Sequence, residues 1–228
     1  MDRSEASERS RFTLKDPGSA ITHLIGALLS VVGLVVLVIL AARRGTPWHV
    51  VSFAIFGASL VLLYTASTVY HALQVSQRAT VALRKVDHSM IFVLIAGSYT
   101  PFCLLPLRGP WGWSLLGVAW GAALLGIIMK LFWLDAPRWL YTSVYVVMGW
   151  MVVIALGPLL RATPLPVTLW LMAGGLLYTV GAVFYATRWP NPWPGKFGFH
   201  EIWHLFVLAG SLAHFSAVLH LLPFSPAL

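Results

Sequence analysis

Seven apolar blocks of about twenty residues, separated by short charged or proline-rich breaks, constrain this chain more than any other feature. They run over approximately 20–42, 48–71, 86–106, 111–131, 139–160, 165–186 and 199–221. About 20 apolar residues is the length a helix needs to cross a hydrocarbon core of about 30 Å. Inside such a core every backbone N–H and C=O must be satisfied within the protein, so only helices or a closed barrel can cross. Strand-like alternation is absent here, and no internal repeat is evident. Composition points the same way: 59% of the residues are hydrophobic and 10% charged, against about 25% charged in a soluble domain. The fold class expected is all-α, a polytopic membrane protein built as a seven-transmembrane helix bundle.

The breaks are rich in residues that stop helices: RRGTP, LRGP, LDAPR, RATPLP and the three-proline segment from Arg188 to residue 196. Residues 1–18, MDRSEASERSRFTLKDPG, are polar and read as a short cytoplasmic tail, leaving 19–228 as the transmembrane domain. The first apolar block exceeds a signal-peptide core and ends in Arg43 and Arg44 without a cleavage pattern, so it reads as a true span. With the N-terminus cytoplasmic, the inner side receives Arg3, Arg9, Arg11, Lys15, Arg78, Arg84, Lys85, Lys130, Arg138, Arg188 and Lys196. The outer side receives Arg43, Arg44, Arg108 and Arg161, a bias that satisfies the positive-inside rule and puts the C-terminus outside. Trp48, Trp111, Trp113, Trp133, Trp139, Trp189 and Trp193 fall near span ends, as an aromatic belt does. The net charge of +8 comes from these loops and not from a basic stripe, which argues against nucleic acid as a partner.

Polar residues inside the blocks then stand out, because ionisable groups within a span default to function. The single Cys103 excludes a disulfide framework and a cysteine-rich metal site. His71 closes the second block, Asp87 opens the third, and His200 and His204 open the seventh. Alternating span direction brings all four to one depth, on the cytoplasmic side. Ser67 and His71 are four residues apart, as are His200 and His204, so each pair lines one helix face. Three imidazoles from two helices form a ligand set for Zn2+, and three protein ligands with an open fourth position is the catalytic form of such a site. Asp87 is placed to hold and deprotonate water there, and Ser67 to orient it or donate to a bound carbonyl; taken singly, Asp87 also reads as a partner of Arg84 or Lys85 and Ser67 as a helix-packing residue.

The string from His200 to His204 also matches H-E-x-x-H, in which Glu201 would be the base of an intramembrane metalloprotease. No later motif supplies a third ligand, and His71 fills that role better, leaving Asp87 as the water partner. His23 reads equally as a residue behind the site or as packing. His88 points about 100° away from Asp87 around the helix, and His214 lies about 15 Å from His204 along its helix. His49 and His220 near the outer surface receive no role. Gly117 and Gly121 are spaced for close helix packing, within the chain or between chains.

The motifs Ala20-Ile-Thr-His-Leu-Ile-Gly26, Ser67-Thr-Val-Tyr-His71, Asp87-His-Ser-Met-Ile91, Gly97-Ser-Tyr-Thr-Pro101 and His200-Glu-Ile-Trp-His204, followed by His214-Phe215, resemble the progestin and adiponectin receptor family. Their wording is closest to its bacterial hemolysin III branch, and the resemblance covers the chain from about residue 16. It implies a seven-helix bundle in the bacterial inner membrane with its N-terminus inside. It also implies zinc held by His71, His200 and His204, with Asp87 reaching the metal through water and Ser67 beside the site. The wider group includes alkaline ceramidases, so the expected activity is hydrolysis of a lipid amide or ester, with membrane lipids as partners and a role in lipid homeostasis. The alternative is a non-enzymatic, zinc-stabilised membrane protein that senses or adjusts bilayer state.

Overall fold

The computed structural model describes residues 14–195 and 197–222, and among them all regular structure is helical apart from one isolated bridge between Trp193 and Phe197. Helices α1 (Pro17–Arg44), α2 (Pro47–Ala72), α3 (Gln77–Leu104) and α4 (Pro110–Phe132) come first. The next span is divided into α5 (Arg138–Trp150), a 3-10 segment (Met151–Ala155) and α6 (Leu156–Ala162). Helices α7 (Leu165–Thr187) and α8 (Phe199–Leu219) complete the bundle. Proline stands in the first turn of α1, α2, α4 and α7, where its missing N–H is no loss and its fixed φ suits the helix.

Six helices are long and apolar enough to cross a membrane, with Arg138–Ala162 counted as one. The remaining long helix, α3, begins at Gln77 and not near residue 86. The Ser76 side chain caps it by accepting from the Ala79 amide, and Arg78, Arg84, Lys85 and Asp87 fall in its first turns. Those charges separate α3 from the other six in composition, not in length.

The fifth block was expected as one helix over 139–160, and the structure breaks it. The Tyr99 hydroxyl sits inside the backbone ladder, donating to the Met148 carbonyl at 2.6 Å and accepting from the Val152 amide at 2.9 Å. Those two groups would otherwise bond each other at i to i−4. Pro158 then lacks the N–H that would reach Ile154. A glycine–proline pair at 157–158 was the visible signal for this break.

In the packing, α1 lies on α2, α2 on α3, α5 between α3 and α7, α7 on α8, and α8 back on α1. Helix α4 stands outside this ring, against α3 and the 3-10 segment, with Gly126 making room for the Phe92 ring. The distribution of polarity is inverted relative to a protein in water. Leu28, Leu125, Ile154 and Phe132 are 62, 69, 70 and 87% exposed, while histidines, serines and Asp87 lie inside. The tryptophans near the helix ends include exposed Trp48, Trp111, Trp113, Trp133, Trp139, Trp189 and Trp193. Lys130, counted above among the inner-side basic residues, is fully buried, with its ammonium 3.2 Å over the Tyr141 ring. Gly117 and Gly121 have no neighbour at their Cβ positions, so this pair makes no close approach among the described residues.

Candidate metal centre

Helix α8 starts where it does because its third residue reaches back. Glu201 Oε2 accepts from the Gly198 amide at 2.8 Å, satisfying one of the free donors of the first turn. Its other oxygen accepts from the Ser19 hydroxyl at 2.7 Å and so ties α8 to α1. With the start of α8 set, His200 and His204 occupy one face of its first two turns. His71 arrives from the last turn of α2.

The three imidazoles meet. One ligand nitrogen from each of His71, His200 and His204 lies within 4.8 Å of the others, and Nε2 of His71 is 3.2 Å from Nε2 of His200. The far sides of two rings are held. His71 Nδ1 lies 3.0 Å from Asp16 Oδ2, and because a carboxylate only accepts, that nitrogen carries the proton. A neutral His71 therefore presents a bare lone pair at Nε2, toward His200. His204 Nδ1 lies 3.3 Å from the Thr22 hydroxyl, and His23 stacks on the His204 ring at 3.5 Å between centroids.

This arrangement fits a metal ion of zinc's chemistry. Zn–N bonds of about 2.0–2.1 Å at tetrahedral angles put neighbouring nitrogens about 3.3 Å apart, close to the 3.2 Å between the two Nε2 atoms. Three nitrogen donors from imidazole are a set that zinc accepts.

Asp87 does not belong to the three-nitrogen group, but it borders the same cavity as His200 and His204. The Ser67 hydroxyl interacts with its carboxylate. The cavity holds about 130 Å³ and runs from Asp87 past Ile91, Leu94 and Tyr145 to Cys103 and Leu107, with a mainly apolar lining. Asp87 and Cys103 are sixteen residues apart on α3, which is about 24 Å at 1.5 Å per residue. A separate, more polar recess of about 340 Å³ opens between Asp16, Asn191, Gly198, His200 and Glu201. His200 thus borders both a polar recess and an apolar cavity.

His88 and His214 stay outside the three-nitrogen group, as their helix positions imply, and both border the cavity that Asp87 lines. Other side chains differ from their sequence reading. His49 is buried with a structural part: its Nδ1 accepts from the Thr46 amide at 3.1 Å and its Nε2 donates to the Leu221 carbonyl at 3.2 Å. Sequence reasoning missed Asp16 and Thr22. It ended a tail at residue 18, whereas α1 begins at Pro17 and Lys15 and Asp16 lie against α2. Burial lowers the pKa of the Lys15 ammonium from its ordinary value, with the Asp16 carboxylate acting the other way. Residues 1–13 of that tail, including Arg3, Arg9 and Arg11, and also Lys196, lie outside the described residues.

Fold and site together define a multi-pass integral membrane protein with a histidine cluster at one end of its bundle. A family profile described as Haemolysin-III related matches residues 13–215, and the chain belongs to this family. It is 46% identical over 210 residues to the "Hemolysin-3 homolog" of Bacillus subtilis (strain 168), covering 91% of this chain and 95% of that protein. It is 42% identical over 214 residues to "Hemolysin-3" of Bacillus cereus, covering 92% and 93%. A more distant relative is the "Monocyte to macrophage differentiation factor" of Homo sapiens, 29% identical over 186 residues, covering 78% of this chain and 74% of that protein. These likenesses agree with the family expected from the motifs.

Proposed function

We propose that this chain is a zinc-dependent hydrolase of a lipid amide or ester, working inside the cytoplasmic membrane. One observation carries the reading: ring nitrogens of His71, His200 and His204 converge within 4.8 Å, beside a mainly apolar cavity that His200 and His204 border. His71, His200 and His204 would hold the ion. When bound, zinc supplies Lewis acidity toward a carbonyl and lowers the pKa of water. The apolar cavity takes an acyl chain along α3, leaving its carbonyl at the histidine end, and the polar recess admits water. Asp87 takes the proton of the attacking water and returns it to the leaving nitrogen or oxygen. Ser67 steadies Asp87 through its hydroxyl.

In this reading α3 also crosses the membrane and brings the spans to seven, with the N-terminus cytoplasmic and the C-terminus outside. Lys15, Arg78, Arg84, Lys85, Arg138 and Arg188 flank the histidine end of the helices, against Arg43, Arg44, Arg108 and Arg161 at the other. The metalloprotease reading of H-E-x-x-H is disfavoured, because both Glu201 oxygens are engaged by Gly198 and Ser19.

The test is turnover of ceramide, N-acyl amides and phospholipids by purified, zinc-loaded protein, with activity lost in Asp87→Ala. Absence of turnover on every one of these lipids, with no cellular effect of Asp87→Ala, argues against a hydrolase. A second reading, a non-enzymatic zinc-stabilised membrane protein, is favoured by the ligands joining α2 to α8. The same two helices are linked again by the Tyr64 hydroxyl donating to Ser211 Oγ at 2.7 Å. It expects metal removal to lower thermal stability with no turnover to lose.

A further inference from the structure

We infer that Asp16 is a positioning residue of the three-histidine centre, setting the tautomer and ring angle of His71. The inference rests on the zinc reading above. Asp16 occupies the N-cap position of α1, directly before Pro17. A carboxylate at that position ordinarily accepts from the free amides of its own helix. Asp16 makes no such bond, and its Oδ2 goes instead to the proton-bearing Nδ1 of His71 at 3.0 Å. Its main chain follows the same course, the Asp16 amide donating to the His71 carbonyl at 2.9 Å and the Lys15 amide to the Ala72 carbonyl at 3.3 Å. Side chain and backbone of one residue therefore grip one histidine. Lys15 completes the clamp: its ammonium donates to the Tyr70 carbonyl, lies 3.4 Å over the Tyr70 ring and sits 3.6 Å from Asp16 Oδ2.

Two roles are superimposed here and can be separated. The backbone amides of residues 15 and 16 satisfy the last carbonyls of α2, which is a structural cap. The carboxylate does something else. On the far nitrogen of a metal-binding imidazole it holds the tautomer, directs Nε2 at the ion and raises its basicity. Substituting the Asp16 side chain leaves the amides, and hence the cap, in place.

The experiment is zinc affinity of the purified full chain, measured by competition with a chelator, beside thermal unfolding of the metal-free forms. Asp16→Ala is expected to weaken zinc binding by about 10–100-fold, with Asp16→Asn in between because its amide oxygen still accepts from Nδ1. Metal-free stability is expected to stay near wild type in both. Unchanged affinity in both variants overturns the inference, whether or not stability falls, since the side chain would then be structural alone. If wild type binds no more zinc than His71→Ala, the zinc reading itself fails and this inference with it. If wild type binds and the Asp16 variants bind equally, only the inference fails.

Discussion

Helix α2 carries a buried histidine at each end, and the two do different work. His49 and His71 are 1% and 4% exposed and stand about 33 Å apart along the helix. His49 uses both ring nitrogens on backbone groups, the Thr46 amide and the Leu221 carbonyl. His71 uses one on Asp16 and turns the other toward His200. Residue type and burial are alike at the two positions. What separates a candidate metal ligand from a structural histidine is a ring nitrogen that faces other imidazoles instead of a backbone group.

The largest test of this contrast is metal content. His71→Ala is expected to reduce the zinc of the purified protein to background by elemental analysis, and His204→Ala likewise. Full retention of zinc by His71→Ala would erase the distinction between the two ends of α2. Next in size is His49→Ala, which strands the Thr46 amide and the Leu221 carbonyl at an expected cost of about 1–3 kcal/mol. It is seen as a lower unfolding temperature with zinc content at the wild-type level; loss of zinc would break the comparison from the other side. Tyr99→Phe, at the broken fifth span, removes the hydroxyl bridging Met148 and Val152 and is expected to cost about 1 kcal/mol, again without touching zinc. The smallest effect is expected from Glu201→Gln, which keeps an oxygen for the Gly198 amide and costs about 0.5 kcal/mol. Its zinc content and any turnover should match wild type, and loss of turnover with normal zinc would move the proposed base role from Asp87 to Glu201.

Much of the fold was legible because a span is a local property. The apolar blocks matched helices to within a few residues for α1, α2, α4, α7 and α8, since block length and proline breaks act directly on the backbone. The charged first turns of α3 were cut off too early, because their helicity comes from a cap at Ser76 and not from apolarity. The convergence of His71 with His200 and His204 was also readable: spacing by four fixes a face, and alternating span direction fixes a depth. Asp16 was hidden by its polar neighbours, its decisive contact being with a residue 55 positions away. Glu201 was legible as half of a motif, yet the bonds of its two oxygens to Gly198 and Ser19 were not.

By itself, then, the amino-acid order marked where apolar helices form and which imidazoles can meet, because rise and periodicity are properties of a single chain segment. Only the tertiary structure decided which polar atoms are spoken for. The partner of a buried nitrogen or oxygen is chosen through space, among groups that sequence distance does not relate.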